Sequence, residues 1–426
     1  MSKENSFFNK GLFTSITTLM SGSVLAQLIT VLASPIMTRM YTEEQIGEYT
    51  LILTAISMFG TVICGRYDQT IVSETDESKA FALVRLCLLI TAAASPVVGI
   101  GYTLYYNCSG SLSLSVWETF FWIGFLLLLT GIGNILNAYN NRCKQYKIMA
   151  ATHVARSVGK EAALIGFGAL KAGSFGLLFS HMLGLGLGLN SQSKSLRKNK
   201  DKLKKITIKE IFGVARRHKR QPLFSVPASF ANSYSYSVLN IFVSNLFGNS
   251  VLAHYSMSFR ILGLPLTLIS TNVSRAFFEK AAREYDEKGN FKKTFLQTSL
   301  LLMAVAIPMV VLLMLLAPWA FEVFFGSGWG QAGVYVQYLA PMFGLRLIVS
   351  ALSPTMTICN KQNIDLYMQV LFVGVVYAVY YLCNTDASME HFLMGVSLGF
   401  SLCYVVYYLG MLKMSYSQKE GENSDD

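Results

Sequence analysis

The sequence predicts an all-α integral membrane protein with about 12 transmembrane helices, arranged as two six-helix lobes of parallel repeats around a central cavity. Hydrophobic residues make up 53% of the 426 residues and charged residues only 14%, whereas soluble domains carry about a quarter charged residues. Residues 301–316 form an almost purely apolar run, and several segments reach the length of about 20 residues that a helix needs to cross a membrane. The short alternating segments of outer-membrane barrels are not seen in the sequence.

Apolar segments predict twelve spans, of which the glycine-rich 173–191 and the more polar segments near 149 and 223 are the weakest by hydropathy. The first apolar stretch is long and lacks a convincing small-residue cleavage site, so we expect it to remain as the first span. The predicted limits are 13–35, 47–65, 82–105, 115–137, 149–170, 173–191, 223–246, 251–273, 295–317, 333–353, 364–383 and 391–412.

Lysine and arginine are distributed unevenly over the segments between these spans. If the N-terminus is cytoplasmic, the inward segments contain nearly all of them, including a dense group from Lys194 to Arg220, and the outward segments contain only Arg39 and Lys171. Because positive loops stay on the cytoplasmic side, this asymmetry predicts cytoplasmic N- and C-termini and an even number of spans. The net charge of +11 then reflects topology, and we expect no nucleic acid partner.

A basic segment divides the chain into two halves. In its second part, apolar residues such as Ile208 and Phe212 are interleaved with basic ones, a pattern typical of a short amphipathic helix on the inner leaflet. A plain solvated linker whose charge only fixes the topology is the alternative. The predicted parts are an N-terminal six-helix lobe (1–192), a basic cytoplasmic linker with the amphipathic helix (193–222), a C-terminal six-helix lobe (223–413) and a cytoplasmic tail (414–426).

A faint internal repeat supports two related halves. Residues 41–50 (YTEEQIGEYT) and 247–256 (FGNSVLAHYS) share aromatic, aliphatic, small, tyrosine and hydroxyl positions at the same spacing. Each copy joins the first and second span of its half, and six spans per half place both copies on the same side of the membrane. This arrangement indicates parallel repeats about an axis along the membrane normal.

Charged residues well inside the spans are the candidates for function. Burying one at the membrane centre costs at least about 2.5 kcal/mol, so such residues usually face a cavity or a partner. Five of the six are basic, which predicts an anionic ligand, although Arg85 lies near the cytoplasmic end of its span and is expected to snorkel to the headgroups. The six are Arg85, Arg156, Lys160, Glu161, Arg260 and Arg346.

The span that begins near residue 149 is the best candidate. His153, Arg156 and Lys160 follow one another at a spacing that places them on one helix face, which we expect to line a polar, water-filled cavity. Glu161 is adjacent to Lys160 in the sequence, so we expect it to titrate or to pair across helices and not to pair well with Lys160. A structural salt bridge between helices is the alternative.

Arginines outside this span have two alternative roles each. Arg260 precedes Pro265, which can kink a helix, and a guanidinium grips phosphate in a bidentate manner. We therefore interpret Arg260 as a substrate contact, with a structural pair as the alternative, and Arg346 fits both roles equally well. Arg39 and Arg66 lie at span ends, where anchoring is expected unless the cavity reaches them.

Polar residues outside these positions give weaker signals. The span 223–246 is rich in serine, asparagine and tyrosine, which suit sugar recognition and equally suit hydrogen bonding between helices. The glycines of 184–188 lack the context of a phosphate loop and are expected to form a packing face. Seven cysteines without CxxC spacing and five histidines without paired spacing predict no metal site. We expect no cofactor and no catalytic residue, hence no enzyme.

Two parts of the sequence resemble a known family. Residues 19–71 contain Pro35 before Thr38-Arg39, the turn IGEYT and the motif GRYDQTIV after the second span, and residues 215–235 read ARRHKRQPLFSVPASFANSYS, followed by FGNSVLAHYSMSFRILGLPLTLIS. These segments are similar to Wzx-type polysaccharide or O-antigen flippases of the multidrug/oligosaccharidyl-lipid/polysaccharide (MOP) exporter superfamily. The resemblance extends over most of the chain.

The resemblance implies a flippase that moves an undecaprenyl-diphosphate-linked repeat unit of O-antigen or another surface polysaccharide across the bacterial inner membrane by alternating access. The implied partners are this lipid-linked oligosaccharide, membrane lipids, and the polysaccharide polymerase and chain-length regulator of such a pathway. Glu161 is the acid we nominate for coupling to a proton or ion gradient. The residues expected to meet the diphosphate are Arg156, Lys160 and Arg260, then Arg39, Arg66 and Arg346.

Two other function classes stay open at this point. A MATE-like exporter of small molecules shares the fold, but it needs an acidic interior to hold cationic cargo. A membrane polysaccharide polymerase or glycosyltransferase usually needs a large outward loop or a carboxylate–metal site. The outward loops of this sequence are short, and the acids near them are scattered.

Overall fold

The computed structural model describes residue 22 and residues 24–110, 112–359, 361–383 and 388–416, and these form helices joined by turns, with no β-strand among them. The earliest part of the first predicted span, residues 13–21, lies outside the described residues. Wherever the chain is described, each of the twelve predicted spans falls largely on a helix. The all-α membrane architecture expected from the sequence is therefore confirmed.

Internal contacts divide the chain into two compact units, Met1–Ala253 and His254–Asp426. The helices of the first unit are α1 (Val24–Met40), α2 (Glu43–Gly60), α3 (Tyr67–Ser73), α4 (Glu77–Ser109), α5 (Val116–Arg142), α6 (Tyr146–Ala169), α7 (Gly173–Gly186), α8 (Leu189–Lys198), α9 (Lys200–Lys205), α10 (Ile208–Arg217) and α11 (Val226–Phe247).

Helix α12 (Asn249–Pro265) begins at the end of the first unit and continues into the second. A π-helical turn, Leu266–Ser270, follows it. The remaining helices are α13 (Thr271–Lys288), α14 (Lys292–Phe325), α15 (Gly330–Leu352), α16 (Thr355–Ile358), α17 (Gln362–Leu382) and α18 (Met389–Tyr416).

Within the described parts of the chain, seven helical segments are long and apolar enough to cross a membrane by themselves. The other helices that coincide with predicted spans are shorter or more polar, as α6 and α11 are, so their place in a membrane depends on neighbouring helices. The seven segments are α4, α5, α12 with α13 (Asn249–Lys288), α14, α15 with α16 (Gly330–Ile358), the apolar part of α17 (Ile364–Leu382) and α18.

Helix ends follow local sequence signals. Thr42 and Gln45 form a capping box at the start of α2, and Ser115 and Glu118 form another at the start of α5. Each box satisfies backbone N–H groups that the first helical turn leaves without partners. Regular α-helical structure ends at Pro265, where the π-helical turn begins, so the irregularity expected at this proline is present.

Glycines allow pairs of helices to approach closely. Gly333 of α15 contacts the backbone of Ala317 and Pro318 on α14, and a side chain at this position would overlap that backbone. In the first unit, Gly131 of α5 lies against the side chain of Thr91 on α4. Small residues at helix contacts are typical of membrane proteins, because close packing replaces the hydrophobic effect there.

Helix α11 packs with the first compact unit, although the sequence predicts it as the first span of the second lobe. It lies along α2, where Asn240 Nδ2 donates to Thr54 Oγ1 at 2.9 Å and the hydroxyls of Ser233 and Thr61 are 3.1 Å apart. The compact units thus divide after residue 253, later than the predicted linker at 193–222. Part of the polar character of α11 serves hydrogen bonding between helices, the alternative to sugar recognition.

The basic linker is helical and packs against other helices of the first unit. Ile211 and Val214 of α10 are buried, and α10 packs against α4. Nη1 of Arg85 on α4 donates to the Ile206 carbonyl, between α9 and α10, at 2.6 Å. This bond differs from the headgroup contact that the sequence favoured for Arg85, because the linker folds back within reach of the guanidinium.

Equivalent positions of the internal repeat have matching burial. Ile46 and Tyr49 of the first copy are buried, and so are their counterparts Leu252 and Tyr255 in the second copy. The aliphatic and tyrosine positions that defined the repeat in the sequence therefore have the same packing role in both halves.

Candidate functional site

Helix α6 carries three of the predicted site residues, and two of them form an ion pair. Nζ of Lys160 lies 2.7 Å from Oε1 of Glu161, and these side chains are only 19% and 6% exposed. The expectation that adjacency prevents this pairing is wrong, because the flexible four-carbon stem of lysine can turn its ammonium group towards the next residue. The two atoms are close but not aligned as a hydrogen bond. Glu161 therefore offsets the charge of Lys160.

Arg156, one turn before Lys160, is half-buried and binds the end of α7. Its Nε donates to the Leu187 carbonyl at 3.0 Å, and its Nη2 donates to Oε1 of Gln192 at 3.4 Å. Leu187 directly follows α7, and a helix C-terminus carries partial negative charge. The guanidinium thus caps the end of α7 with one of its five N–H groups and holds the Gln192 side chain on α8 with a second.

A buried amide network adjoins Arg156. Nε2 of Gln192 donates to Oδ1 of Asn137 at 2.6 Å, and Nδ2 of Asn140 donates to the Gln192 carbonyl at 2.9 Å. Gln192 and Asn140 are fully buried, and Oδ1 of Asn140 has no hydrogen-bond partner among the described residues. Sequence reasoning missed this network, and the available signal was the three-residue spacing of Asn134, Asn137 and Asn140.

The glycine-rich end of α7 packs against α6, as expected from its sequence. A side chain at Gly184 would overlap Cβ of Lys160 and crowd the Arg156 carbonyl, and one at Gly188 would overlap Thr152. At these positions the polar face of α6 packs against protein. The water-filled cavity that was expected along this face therefore does not extend to the contact with Gly184.

In the second unit, Arg346 of α15 lies over two aromatic rings. Its Cζ is 5.4 Å from the ring centre of Phe343 and 5.9 Å from that of Phe259, distances at which cation–π attraction acts. Phe259 immediately precedes Arg260 on α12, and both arginines are half-buried. The fold thus brings Arg346 beside the helix segment that carries Arg260.

Arg39 and Arg66 lie at helix ends. Arg39 is exposed near the end of α1. Arg66 precedes α3 with a φ of 61°, a left-handed conformation that is uncommon for residues other than glycine, and its Nη1 lies 3.5 Å from the Thr61 carbonyl. Nε of Arg66 and Oδ1 of Asp68 are buried without hydrogen-bond partners in the described part of the chain. Burial raises the pKa of Asp68, and the charge of Arg66 opposes this shift.

Another buried carboxylate, Glu48 of α2, was not among the predicted site residues. Its Oε1 accepts a hydrogen bond from the Ser113 N–H at 2.9 Å, and its Oε2 accepts one from the Ser174 hydroxyl at 2.6 Å. These three residues line a polar groove of about 480 Å³. In the sequence, Glu48 looks like an ordinary acid at a span end, because both of its partners are distant along the chain.

The arginines of both units offer positive charge and directed N–H groups, the two properties that recognise phosphate. Among the described residues, no group of three or more His, Cys, Asp or Glu side chains is arranged to hold a metal ion.

The fold is similar to those of several solved membrane transporters. The lipid II flippase MurJ, in an inward closed conformation, gives a TM-score of 0.71 at 13% identity, with 95% of this chain and 90% of that chain covered. An inward-facing multidrug resistance MATE family transporter of the MOP superfamily gives 0.66 at 15% identity, with 93% and 94% covered. A MOP superfamily transporter from Pyrococcus furiosus gives 0.61 at 16% identity, with 94% and 95% covered.

These structural similarities confirm the fold of the MOP superfamily that the sequence resemblance implied. No curated protein matches the sequence. A family model described as "Polysaccharide biosynthesis protein" matches residues 115–333, which is 219 of the 426 residues. Since this match spans more than half of its length, the chain belongs to the polysaccharide biosynthesis protein family.

Proposed function

We propose that this protein is a flippase that moves an undecaprenyl-diphosphate-linked oligosaccharide from the cytoplasmic to the periplasmic face of the bacterial inner membrane by alternating access. The cargo is the repeat unit of O-antigen or of another surface polysaccharide. The observation that carries the proposal is the combination, in one chain, of the polysaccharide biosynthesis family and a fold shared with the lipid II flippase MurJ. That fold can serve a lipid-linked cargo.

Half-buried arginines support an anionic cargo. Two N–H groups of Arg156 hold the end of α7 and Gln192, and a guanidinium has five, so Arg156 can hold this position and still donate to a phosphate oxygen. Arg260 lies one and a half turns before the π-helical turn Leu266–Ser270, an irregularity that is frequent at functional sites. We assign the diphosphate first to Arg156 and Arg260.

The other candidates take secondary roles in the proposal. Lys160 contributes less than its formal charge, because Glu161 lies 2.7 Å away. Arg346 supports the Arg260 region through Phe259. Glu161 stays the proposed coupling group, since a change in its protonation would release or restore the charge of Lys160. Arg39 and Arg66 are proposed to contact the cargo at the ends of its path across the membrane.

Topology and partners complete the proposal. The excess of lysine and arginine in alternate segments supports a multi-pass inner membrane protein with both termini in the cytoplasm. A flippase for a polysaccharide precursor has to deliver its cargo to a polymerase, so we propose the polysaccharide polymerase and the chain-length regulator as partners.

A deletion strain tests the function directly. We expect it to lose surface polysaccharide and to accumulate the lipid-linked repeat unit on the cytoplasmic side, measured by lipid extraction and by accessibility to an added lectin or glycosidase in oriented vesicles. Normal surface polymer without accumulated precursor would contradict the proposal. Increased sensitivity to cationic compounds as the only phenotype would favour a MATE-like exporter instead.

Complementation of this strain tests the arginines. Arg156→Ala and Arg260→Ala should abolish surface polysaccharide while protein levels hold, and replacement by Lys should restore part of it if bare charge suffices. Gln192→Ala is the matched control, because it removes one structural contact of Arg156 and keeps the guanidinium. Full polymer in both alanine variants would remove these arginines from the site.

A further inference from the structure

Helix α10 exposes two large apolar side chains that no membrane span explains. It has ten residues, of which four are charged, so it is too short and too polar to cross a membrane. Ile208 and Phe212 are nevertheless each 71% exposed. On the spanning helices, exposed apolar side chains face the acyl chains of the bilayer. Helix α10 does not span the membrane, so some other apolar surface has to cover Ile208 and Phe212.

The apolar face of α10 is divided into a covered part and an exposed part. Ile211 and Val214 are buried where α10 packs against α4. Successive side chains of an α-helix are about 100° apart around the helix axis. Ile208 and Phe212 therefore form an edge that lies about 110° around this axis from the buried pair. One part of the apolar arc therefore meets the protein, and the other part is turned towards a different surface.

Contacts at both ends hold α10 in this orientation. The Arg85 guanidinium donates to the Ile206 carbonyl, just before the helix, at 2.6 Å. The Tyr67 hydroxyl donates to the Ala215 carbonyl near the helix end at 3.2 Å. The exposed edge is therefore fixed by the fold of the first unit.

Basic residues border the exposed edge. Lys209 and Arg216 project about 70° from it, on the side away from the buried pair, whereas Glu210 and Arg217 project from the opposite side of the helix. Beyond α10, Leu223 and Phe224 are also exposed, separated by two residues from the exposed basic pair Lys219 and Arg220. An apolar edge bordered by cations, with the acid opposite, is typical of a helix that lies in the interface of an anionic bilayer.

We infer that α10 binds the anionic lipid surface beside α4, with Ile208 and Phe212 among the acyl chains and Lys209 and Arg216 at the phosphates. Helix α4 is itself a membrane span, and α10 packs close to its beginning, where α4 enters the bilayer. Lipid next to α4 is therefore the apolar surface within reach, and its negative charge complements the two cations. The inference does not depend on the cargo of the transporter.

Thiol labelling of the full chain in lipid vesicles tests this binding. Phe212→Cys and the control Gly213→Cys are made in a parent that carries Cys108→Ser and Cys143→Ser, because these two native thiols are exposed. A side chain at Gly213 has open space around it and projects about 120° from the apolar edge. The initial rate of reaction with a membrane-impermeant maleimide, corrected for the parent, is compared in detergent, in phosphatidylcholine vesicles and in vesicles that also contain phosphatidylglycerol.

We expect the Phe212→Cys variant to react at least about fivefold more slowly than the Gly213→Cys variant in the anionic vesicles, since each basic residue near such a surface contributes about fivefold in affinity. The two rates should be similar in detergent, and added Lys209→Gln and Arg216→Gln should remove the protection. Equal rates in the anionic vesicles would overturn the inference, and so would protection that is equally strong without phosphatidylglycerol.

Discussion

The ammonium group of Lys160 lies 2.7 Å from the carboxylate of Glu161, its immediate neighbour on α6. Both side chains are largely buried, so water solvates neither charge fully. The pair changes the charge balance of α6, because Glu161 offsets the charge of Lys160, whereas Arg156, one turn earlier, donates to neutral groups.

Removal of one member of this pair should destabilise the protein more than removal of both. A single Lys160→Met or Glu161→Leu change leaves the remaining charge without its neighbour, which costs up to about 3 kcal/mol, whereas an apolar replacement of the whole pair is often neutral. We expect lower melting temperatures in detergent for both single variants and recovery in the double variant. Melting temperatures that fall additively in the double variant would contradict this coupling.

The transport activity of the double variant shows whether Lys160 and Glu161 only stabilise α6 or whether Glu161 also couples transport to a gradient. If the pair only stabilises α6, the double variant should restore surface polysaccharide together with stability. If Glu161 couples transport to a gradient, the double variant should be folded and still inactive.

Gly47 is a second residue whose replacement should destabilise the protein. This residue of α2 lies against the backbone of Asn249, the first residue of α12, and a Cβ would overlap the Asn249 carbonyl. Gly47→Val should therefore destabilise the protein by about 1–3 kcal/mol, the usual range for overpacking. The measurement is the melting temperature of the purified protein, together with surface polysaccharide in the complemented strain.

A glycine with open surroundings is the control for Gly47. A side chain at Gly101, inside α4, meets no atom within 4 Å, so Gly101→Ala should be neutral or slightly stabilising through helix propensity. Equal stability of the Gly47→Val and Gly101→Ala variants would refute the close approach at Asn249.

The helices could be predicted from sequence because apolar length and charge alternation act locally along the chain. Side-chain partners could not, because they depend on which helices meet. Glu48 binds Ser113 and Ser174, which lie 65 and 126 residues away in the sequence. The same reason explains α11, whose Asn240 bonds to Thr54 and so joins this helix to the first unit.

The local error at Lys160 has a different cause. Adjacent residues on a helix point in different directions at Cβ, and this rule suggested that Glu161 is out of reach. The rule holds for the first bonds of the side chain and not for the end of a long one. Charged residues with long side chains therefore need to be judged by reach as well as by helix face.

Arg85 is predicted to hold the linker against α4. Its guanidinium donates to the Ile206 carbonyl at 2.6 Å, and hydrogen bonds from charged groups are worth about 1.5–3 kcal/mol. Arg85→Ala should loosen the segment around α9 and α10, so that trypsin cleaves its many lysines and arginines several times faster under native conditions. Arg85→Lys is the control, since it keeps one charged donor and should show an intermediate rate. A linker that is cleaved at the same rate in all three proteins would exclude this role.

Asp68 should make stability depend on pH. It lies on α3, after the second predicted span, where burial raises its pKa above the ordinary value of 3.8 and the charge of Arg66 only partly opposes the shift. A carboxyl group with a raised pKa in the folded state favours folding most when it is protonated, so this contribution is lost as the pH rises through the folded pKa. Asp68→Asn should therefore raise the melting temperature near neutral pH and have little effect near pH 3.8 or below. A variant that is less stable than the parent at neutral pH would show instead that attraction to Arg66 outweighs the cost of burial.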